Sequence, residues 1–399
     1  MQDTPKGNRL HIAIFGKRNA GKSSIINALT NQQIAIVSDK AGTTTDPVYK
    51  AMELLPIGPV MMIDTAGLDD FGEVGELRIK KTKQVMDKTD LAILVFTSES
   101  EELTLEKRWY EELSSKNIPV IGVINKIDKL EVNEEYFKGK FNIPFVKVSA
   151  KENTNIDKLK DTIIEKAPLN FERSTLVGDI INPKDVVLLV APQDIQAPKG
   201  RLILPQVQTI RDILDKDAVV ITVKDSELEY FINKLNFKPD LVITDSQVFK
   251  KVNEIVPKDI PLTSFSILMA RYKGDLKSLI KGAKAIDSLK PGDKVLIAEA
   301  CTHHALKGDI GREKIPNWLN EKAGGELQIK VSAGSDFPDD IKNYKLIIHC
   351  GACMFNRKQM MSRILKAKNY DVPITNYGIA IAHINGILKR VTEVFKDIK

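Results

Sequence analysis

Short apolar runs recur along the first 170 residues, and each one ends at a polar or glycine-containing segment. Runs of four to six apolar residues, separated by helical patterns, are typical of buried strands in a parallel sheet. They predict a mostly parallel, doubly wound sheet whose carboxyl edge binds a ligand. The runs are His11–Phe15, Val60–Ile63, Pro119–Ile124 and Phe145–Val148.

The same alternation continues after a polar segment at 171–178, which we interpret as a linker. Apolar runs at Val186–Val190, Ala218–Val223 and Leu241–Thr244 alternate with helical patterns near 207–215, 226–234 and 247–255. This pattern predicts a small parallel sheet of three strands. Because an isolated sheet of this size leaves an unpaired edge, we expect this region to form a homodimer.

A third α/β region begins near residue 263. It contains a long amphipathic helical pattern at 274–289, a helix near 314–322, a strand near 327–331 and a helix near 357–367, with Asn356 as a plausible cap. Two further apolar runs, Val295–Ala298 and Leu346–Ile348, read as buried strands. The predicted architecture is therefore α/β with three domains, at residues 1–172, 178–262 and 263–399.

Composition excludes several classes of protein. The chain has 399 residues, 43% of them hydrophobic, and its 59 basic and 53 acidic side chains are interspersed to a net charge of +6. Without a dense basic block, nucleic-acid binding is not expected. No stretch of 18 apolar residues predicts a membrane span, and three cysteines, an odd number, favour a reducing compartment over a disulfide framework. We expect a cytoplasmic protein.

The first apolar run leads into a phosphate-binding motif, Gly16 to Ser23, which reads G-x-x-x-x-G-K-S between a strand and a helix. Backbone N–H groups of such a loop surround phosphates, the lysine reaches the β- and γ-phosphates, and the hydroxyl holds Mg²⁺. The expected nucleotide-binding residues are Gly16, Asn19, Ala20, Gly21, Lys22, Ser23 and Ser24.

Three more motifs follow later strands. Asp64 is expected beside Mg²⁺, with the Gly67 N–H sensing the γ-phosphate. In Asn125-Lys126-Ile127-Asp128, the Asp128 carboxylate can accept from guanine N1 and its exocyclic amine, while the Lys126 stem covers the base. Ser149, Ala150 and Lys151 offer a backbone N–H to guanine O6. Four such motifs in this order predict a GTPase domain that binds GTP or GDP.

All three cysteines lie directly after predicted strands of the third region. Cys301 begins Cys301-Thr302-His303, and Cys350 and Cys353 follow His349 at a spacing that can direct two sulfurs at one metal. Unrelated buried cysteines are the alternative. Arg357, Lys358 and the helix that starts there are expected to stabilise thiolates. His11 and His383 stand alone and are expected to serve in packing or at the surface.

The order of nucleotide motifs resembles the TrmE–Era-like GTPases. That resemblance implies that Asn19 coordinates a potassium ion and that Thr44, in the first switch at 41–46, meets Mg²⁺. Thr45 stands where the family usually has arginine. Leu68 follows Gly67 where small Ras-like proteins have a water-orienting glutamine, so hydrolysis needs help from a cation or a conformational change. A second, mobile switch is expected at 69–76. The residues expected to act in hydrolysis are Lys22, Thr44, Asp64 and Gly67.

The cysteine and histidine pattern, placed behind such a GTPase domain, resembles the HydF family of [FeFe]-hydrogenase maturation GTPases along the whole chain. The resemblance implies a scaffold that holds a [4Fe-4S] cluster through Cys301, Cys350 and Cys353. It also implies a transient diiron precursor, received from radical-SAM maturases and delivered to apo-[FeFe]-hydrogenase. His303, His304, His349, Glu299 and Asp309 are candidates for the fourth cluster ligand, and His303 and His349 could instead support the ligands.

Two alternatives stay open at this point. The metal could be a structural zinc bound as Cys₃His. The chain would then be a GTPase acting on RNA or ribosomes, as many TrmE–Era-like proteins do, although the interspersed charges disfavour that function.

Overall fold

The computed structural model describes residues 4–30, 47–65, 73–97, 102–130, 133–168, 175–192, 202–301 and 308–395. The chain divides into two compact units, residues 1–173 and 174–399. No helix in the described ranges is long and apolar enough to cross a membrane.

The first unit is built on one six-stranded sheet with the order β2–β3–β1–β4–β5–β6, in which only the β2–β3 pair is antiparallel. The strands are β1 (Leu10–Gly16), β2 (Val48–Leu54), β3 (Gly58–Asp64), β4 (Leu91–Thr97), β5 (Val120–Asn125) and β6 (Phe145–Lys147). The helices are α1 (Lys22–Thr30), α2 (Glu73–Met86), α3 (Thr104–Ser115), α4 (Glu134–Lys138) and α5 (Ile156–Lys166).

Burial explains why the sequence predicted the central strands so directly. Every residue of β1 and β5 is buried, because a hydrophobic core covers each face of the sheet. A strand buried on both faces has no polar alternation and therefore appears as a continuous apolar run. The doubly wound sheet predicted for the N-terminal region is confirmed, and its parallel strands end at one edge.

The second unit holds two four-stranded sheets, and all of their strand pairs are parallel. The first of them has the order β10–β9–β7–β8. Its strands are β7 (Val186–Val190), β8 (Val219–Val223), β9 (Leu241–Thr244) and β10 (Leu262–Ser264), and its helices are α6 (Leu204–Asp215), α7 (Leu228–Lys234), α8 (Phe249–Ile255) and α9 (Phe265–Lys273).

The expectation of three strands in this sheet was wrong. The fourth, β10, pairs in parallel with β9 and covers one edge, which leaves β8 as the other. With only three residues, two of them polar, β10 gives too little pattern to predict a strand.

The last sheet has the order β12–β11–β13–β14. Its strands are β11 (Lys294–Ala298), β12 (Gln328–Ser332), β13 (Leu346–His349) and β14 (Ile374–Asn376), and its helices are α10 (Leu276–Ala283), α11 (Ile315–Ala323), α12 (Arg357–Asn369), α13 (Tyr377–Ile384) and α14 (Leu388–Thr392).

The long helix predicted at 274–289 is instead α10 followed by a 3₁₀ segment, Lys284–Ser288. Gly282 accounts for the close approach of α10 to β14, since a Cβ at this position would lie 2.0 Å from the Ile374 carbonyl oxygen.

One continuous hydrophobic core runs through both sheets of the second unit, from Leu176 to Phe395. Helix α9 packs against α6 on one side and against α12 on the other. The predicted division of this unit at residues 262 and 263 stays a prediction.

Candidate functional site

The phosphate-binding loop connects β1 to α1 at the carboxyl edge of the first sheet. Gly16, Asn19 and Gly21 all have positive φ angles, of 156°, 56° and 88°. A Cβ at Gly21 would lie 2.2 Å from Asn125 Nδ2, so a side chain there would collide with the end of β5. The two glycines of the motif are thus required by close approach and backbone conformation.

The ammonium group of Lys22 folds back over this loop. Lys22 is buried, and its Nζ donates to the carbonyl oxygens of Gly16 at 3.0 Å and Lys17 at 2.8 Å. The lysine therefore lies where the sequence predicts a phosphate.

Ser23 and Asp64 meet at the ends of α1 and β3, where the Ser23 hydroxyl donates to Asp64 Oδ2 at 2.5 Å. Burial raises the pKa of Asp64 above its usual range, against the effects of the Ser23 hydrogen bond and the Lys22 charge. Asp64 Oδ1 is buried without a hydrogen-bond partner among the described residues. A hydroxyl beside a carboxylate with an orphaned oxygen fits a Mg²⁺ site.

The base-recognition residues gather at the ends of β5 and β6. Asn125 Nδ2 donates to the Ala20 carbonyl at 2.9 Å, and Asn125 Oδ1 accepts from the Ala150 N–H at 3.2 Å. The Ser149 hydroxyl donates to Asp128 Oδ1 at 2.6 Å, and this hydrogen bond lowers the pKa of Asp128. Asn125 thus joins the phosphate loop to the segment Ser149–Lys151, and Asp128 stays exposed and ionised beside it.

Several predicted residues of this site lie outside the described residues, among them Thr44, Thr45, Gly67 and Leu68. The predicted second switch at 69–76 overlaps α2, which begins at Glu73, so its last four residues are helical rather than loop.

Sequence reasoning missed a residue that supports the phosphate loop. Glu106, in the first turn of α3, is only 1% exposed, and its Oε1 lies 3.3 Å from Lys17 Nζ. No motif marks a glutamate that reaches its partner across the fold from a helix.

The segments that carry the three cysteines follow two strands, β11 and β13, that are adjacent and parallel. Ala298 pairs with His349 at the carboxyl ends of the two strands, which places Cys301 beside the Cys350–Cys353 turn. Cys350 Sγ accepts backbone N–H groups of Ala300 at 3.1 Å and, more weakly, of Ala352 at 3.5 Å.

The three thiols are half-buried. Burial raises the pKa of Cys350 to about 12, and the neighbouring Cys353 and Cys301 add to this effect. Burial and Cys301 also raise the pKa of Cys353, whereas the positive charge of Lys273 opposes that shift. These cysteines would become thiolates only with a compensating cation, such as a metal.

No group of three His, Cys, Asp or Glu side chains within the described ranges is placed to hold a metal ion. The donor set nevertheless suits an iron-sulfur cluster, since three thiols share one sheet edge and Cys350 Sγ accepts N–H bonds of the kind that tune such ligands.

His349 is fully buried, and both of its ring nitrogens have partners. Nδ1 lies 2.9 Å from the Cys350 carbonyl oxygen, to which it donates, and Nε2 accepts from Arg363 Nη1 at 2.9 Å. Burial lowers the pKa of His349 to about 3, and the Arg363 charge contributes. A neutral imidazole held in this way favours the supporting role over the fourth-ligand role.

The two carboxylates considered as fourth ligands also have partners. Glu299 Oε2 accepts from Arg312 Nη2 at 3.0 Å and its Oε1 lies 3.4 Å from the Tyr377 hydroxyl. Asp309 Oδ1 accepts the N–H groups of Gly311 and Arg312, both at 2.9 Å. His303 and His304 lie outside the described residues.

Asn356 caps α12 as predicted, with Oδ1 accepting the Gln359 N–H at 3.0 Å. Arg357, which was expected to stabilise thiolates, makes its hydrogen bonds elsewhere, and its effect on the thiols stays a prediction. Its Nη1 donates to the carbonyl oxygens of Tyr272 at 3.0 Å and Gly274 at 2.9 Å, because the end of α9 leaves unpaired acceptors there. The positive charge of Lys273 lowers the pKa of Cys353, and no sequence pattern marked this lysine.

The two isolated histidines serve locally. His383 Nε2 lies 2.8 Å from Asp287 Oδ2, and His11 Nδ1 lies 2.9 Å from the Arg9 carbonyl oxygen.

Comparison with known proteins gives different matches for the two compact units of the chain. A family model described as a 50S ribosome-binding GTPase matches residues 11–126. The tRNA modification GTPase MnmE of Aquifex aeolicus is 36% identical over 165 residues, which are 41% of this chain and 36% of that relative. The GTPase Der of Sulfurimonas denitrificans is 32% identical over 176 residues, 41% of this chain and 35% of that relative.

The chain thus spans little more than a third of the length of these relatives. The GTPase family model places its match in the nucleotide-binding part. Together with the motif geometry, it defines the class: the first unit is a P-loop GTPase domain of the TrmE–Era-like type.

Two further family models match nearly all of the second unit. The Hydrogen maturase F dimerization domain matches residues 176–274, and the Hydrogen maturase F tetramerization domain matches residues 277–394. The chain belongs to the hydrogen maturase F family, and it has the domains through which that family forms oligomers.

Proposed function

We propose that this protein is a GTP-hydrolysing scaffold that holds a [4Fe-4S] cluster at Cys301, Cys350 and Cys353. On this proposal it carries a diiron precursor from radical-SAM maturases to apo-[FeFe]-hydrogenase. The proposal is supported by the position of all three cysteines of the chain after two adjacent parallel strands, in a hydrogen maturase F chain with a GTPase domain.

The nucleotide chemistry follows from the carboxyl edge of the first sheet. Lys22 would leave the carbonyls of its own loop to bind the β- and γ-phosphates, and Asp128 would accept from guanine. Ser23, Thr44 and Asp64 would hold Mg²⁺, Asn19 would bind potassium, and Gly67 would sense the γ-phosphate.

The thiol chemistry follows from the edge of the last sheet. A cluster held by three thiolates leaves one iron open to an exchangeable ligand, which suits a protein that carries a second metal fragment. The chain's own residues would bind the cluster through three sulfurs, stabilise Cys350 through the Ala300 N–H, and fix the turn through His349 and Arg363.

We further propose that the working form is a cytoplasmic homodimer joined through the free edge of β8. β8 is one of the two edge strands of its sheet, no strand among the described residues pairs with its outer side, and Val219 is 48% exposed. An unpaired strand edge is a template for a second copy.

The test compares the wild-type protein with Cys353→Ser, both purified without oxygen. We expect about stoichiometric cluster iron and sulfide in the wild type, most of it lost in Cys353→Ser. GTP hydrolysis should be equal in the two proteins, because the nucleotide residues lie in a unit with its own core. Full iron retention in Cys353→Ser would overturn the proposed ligand set.

The likeness to a tRNA modification GTPase favours one alternative, a GTPase acting on RNA with a structural zinc. Colourless protein with one zinc and no iron would support that alternative.

A further inference from the structure

A buried carboxylate of helix α3 is paired with the phosphate-binding loop. Glu106 lies in the first turn of α3 and is only 1% exposed, and its Oε1 lies 3.3 Å from Lys17 Nζ. The same ammonium group donates to the Glu102 carbonyl oxygen at 2.8 Å. Lys17 is the second residue of the phosphate-binding motif, so its side chain ties this loop to α3 and to the segment just before it.

The main chain of Lys17 takes part in the internal hydrogen bonds of the loop. Its carbonyl oxygen accepts from Lys22 Nζ at 2.8 Å and from the Ala20 N–H at 3.3 Å. The position of Lys17 therefore fixes both the ammonium group that is expected at the phosphates and the turn that leads to Gly21.

Two other contacts hold the loop, one at each end. Gly16 pairs with Val95 of β4, and a Cβ on this glycine would lie 2.8 Å from the Val95 carbonyl oxygen. The Ala20 carbonyl oxygen accepts from Asn125 Nδ2 at 2.9 Å. These contacts involve main-chain groups and a neutral amide, whereas Lys17 is held by a carboxylate that is almost excluded from water. Opposite charges attract more strongly in such surroundings.

We infer that the Glu106–Lys17 ion pair holds the phosphate loop in its nucleotide-binding conformation and so sets how long the protein retains GTP or GDP. Glu106 is a positioning residue that acts through Lys17, and it does not bind the nucleotide itself. This inference rests on the proposed nucleotide-binding role of the loop, and it adds to that role a residue of a helix without a nucleotide motif.

The direction of the effect follows from preorganisation. A loop that is ordered before the ligand arrives loses less conformational freedom on binding, and the complex is therefore tighter. Without the ion pair, this loss adds to the free energy that binding requires, and the difference appears mainly as faster dissociation. Bound phosphates would still order the loop, so the rate of the chemical step should change little. GTP and GDP should be affected equally, because both carry the β-phosphate that the loop surrounds.

The test uses full-length protein with Mg²⁺. Glu106→Gln keeps the size of the side chain and leaves no unpaired carboxylate buried, while the Lys17 side chain, 34% exposed, can be hydrated. Glu112→Gln is the matched control, because Glu112 lies on the same helix and pairs with Lys83 at 3.4 Å.

We expect Glu106→Gln to release GDP about tenfold faster than wild type and to bind a non-hydrolysable GTP analogue about tenfold more weakly. The kcat at saturating GTP should stay within about twofold of wild type, since the lost interaction contributes equally to ground state and transition state. Glu112→Gln should match wild type in all three measurements.

A second set of variants tests whether Glu106 acts through Lys17. Lys17→Met should speed GDP release as much as Glu106→Gln does, and Lys17→Arg, which keeps the charge, should lie between Lys17→Met and wild type. The double variant should release GDP no faster than either single variant, because both remove the same interaction. Additive effects would overturn the inference. If Glu106→Gln does not fold, Lys17→Met compared with Lys17→Arg gives the contrast from the more exposed end of the pair.

A purely structural role gives a different result. It predicts a lower melting temperature of the first unit in Glu106→Gln with GDP release equal to that of Glu112→Gln, and that outcome overturns the inference. A lower kcat with unchanged GDP release overturns it as well, because Glu106 would then act on the chemical step.

The proposed nucleotide site is tested separately by Lys22→Ala. If Lys22→Ala binds the GTP analogue as tightly as wild type, the loop is not the phosphate site and both proposals are wrong. If Lys22→Ala loses the analogue while Glu106→Gln retains it as wild type does, only the role of the ion pair is wrong.

Discussion

The buried carboxylate of Asp64 belongs to the predicted Mg²⁺ site and destabilises the fold while that site is empty. Its carboxylate is buried, one of its oxygens has no partner among the described residues, and burial raises its pKa. A carboxyl group whose pKa is raised in the folded state destabilises the fold above that pKa, and the penalty disappears as the pH falls through it. The penalty is offset when Mg²⁺ binds.

We therefore expect Asp64→Asn to raise the melting temperature of the nucleotide-free first unit at pH 7 and to abolish Mg²⁺-dependent GTP hydrolysis. The amide oxygen can still accept from Ser23, so the gain comes from the removed charge. Calorimetry without Mg²⁺ measures the first effect, and phosphate release measures the second. Asp87→Asn, at a half-exposed ion pair with Lys116, is the control. A melting temperature below that of wild type would contradict the argument.

Asn19 illustrates a residue with two possible reasons to be present. Its φ of 56° is a left-handed conformation that asparagine tolerates well, so the backbone alone could require it. The potassium role needs the side-chain oxygen as well.

A substitution by glycine distinguishes the backbone requirement at position 19 from the potassium-binding role of the side chain. Asn19→Gly keeps the backbone conformation and removes the amide, whereas Asn19→Ala removes both. We expect wild-type hydrolysis to be faster in potassium than in sodium at equal ionic strength, and both variants to lose that difference. GTP affinity should stay near wild type in Asn19→Gly. A potassium preference that survives in Asn19→Gly would assign Asn19 to the backbone alone.

At the scale of elements, the free edge of β8 is the feature that carries a prediction. The Val219 N–H donates to the Asp185 carbonyl at 2.8 Å, on the side of β7. Because N–H groups alternate in direction along a strand, the N–H of Val220 points toward the open edge. Proline there would block pairing with another strand and leave the bonds to β7 in place.

Val220→Pro should therefore convert the proposed dimer to a monomer in light scattering of the full-length protein. Val219→Ala, which trims an exposed side chain on the same strand and keeps every N–H, should leave the dimer intact. A dimer that persists in Val220→Pro would place the interface elsewhere.

The elements that the sequence predicted well are those with one strong signal. Strands buried on both faces, such as β1 and β5, appear as apolar runs, and the strand-to-helix motifs locate the nucleotide residues beside them. The sequence analysis missed strand β10 and the end of helix α10. β10 is defined by its pairing with β9, and α10 packs closely on β14 at Gly282, so both features depend on residues distant in sequence.

Some features of the candidate metal site could also be predicted from the sequence, and others could not. Three cysteines in a cysteine-poor chain identified the site, but the partner of each histidine and arginine depends on packing. Arg357 donates to carbonyl oxygens at the end of α9, and Arg363 donates to His349 Nε2. Neither partner can be read from the sequence. Lys273 lies in α9, far from Cys353 in sequence, yet its positive charge lowers the pKa of that cysteine.

At the scale of the whole molecule, the division of the hydrophobic cores predicts how the protein unfolds. The first unit has cores on both faces of its own sheet, whereas one core runs through both sheets of the second unit. Regions that share a core unfold together, and regions with separate cores can unfold separately. We expect two thermal transitions, although the described residues form three sheets.

Ligands should identify the two transitions. A non-hydrolysable GTP analogue with Mg²⁺ should raise the midpoint temperature of one transition, which identifies that transition as unfolding of the first unit. The reason is that a ligand stabilises only the state that binds it. Removing the metal with a chelator should lower the other transition, and in Cys353→Ser the same transition should lie low without treatment. Calorimetry of the full-length protein checks all three expectations.

Three transitions would mean that the two sheets of the second unit are independent despite their common core. A GTP analogue that raised both transitions equally would show that the nucleotide and thiol sites are energetically coupled, which is the link a GTP-regulated scaffold requires.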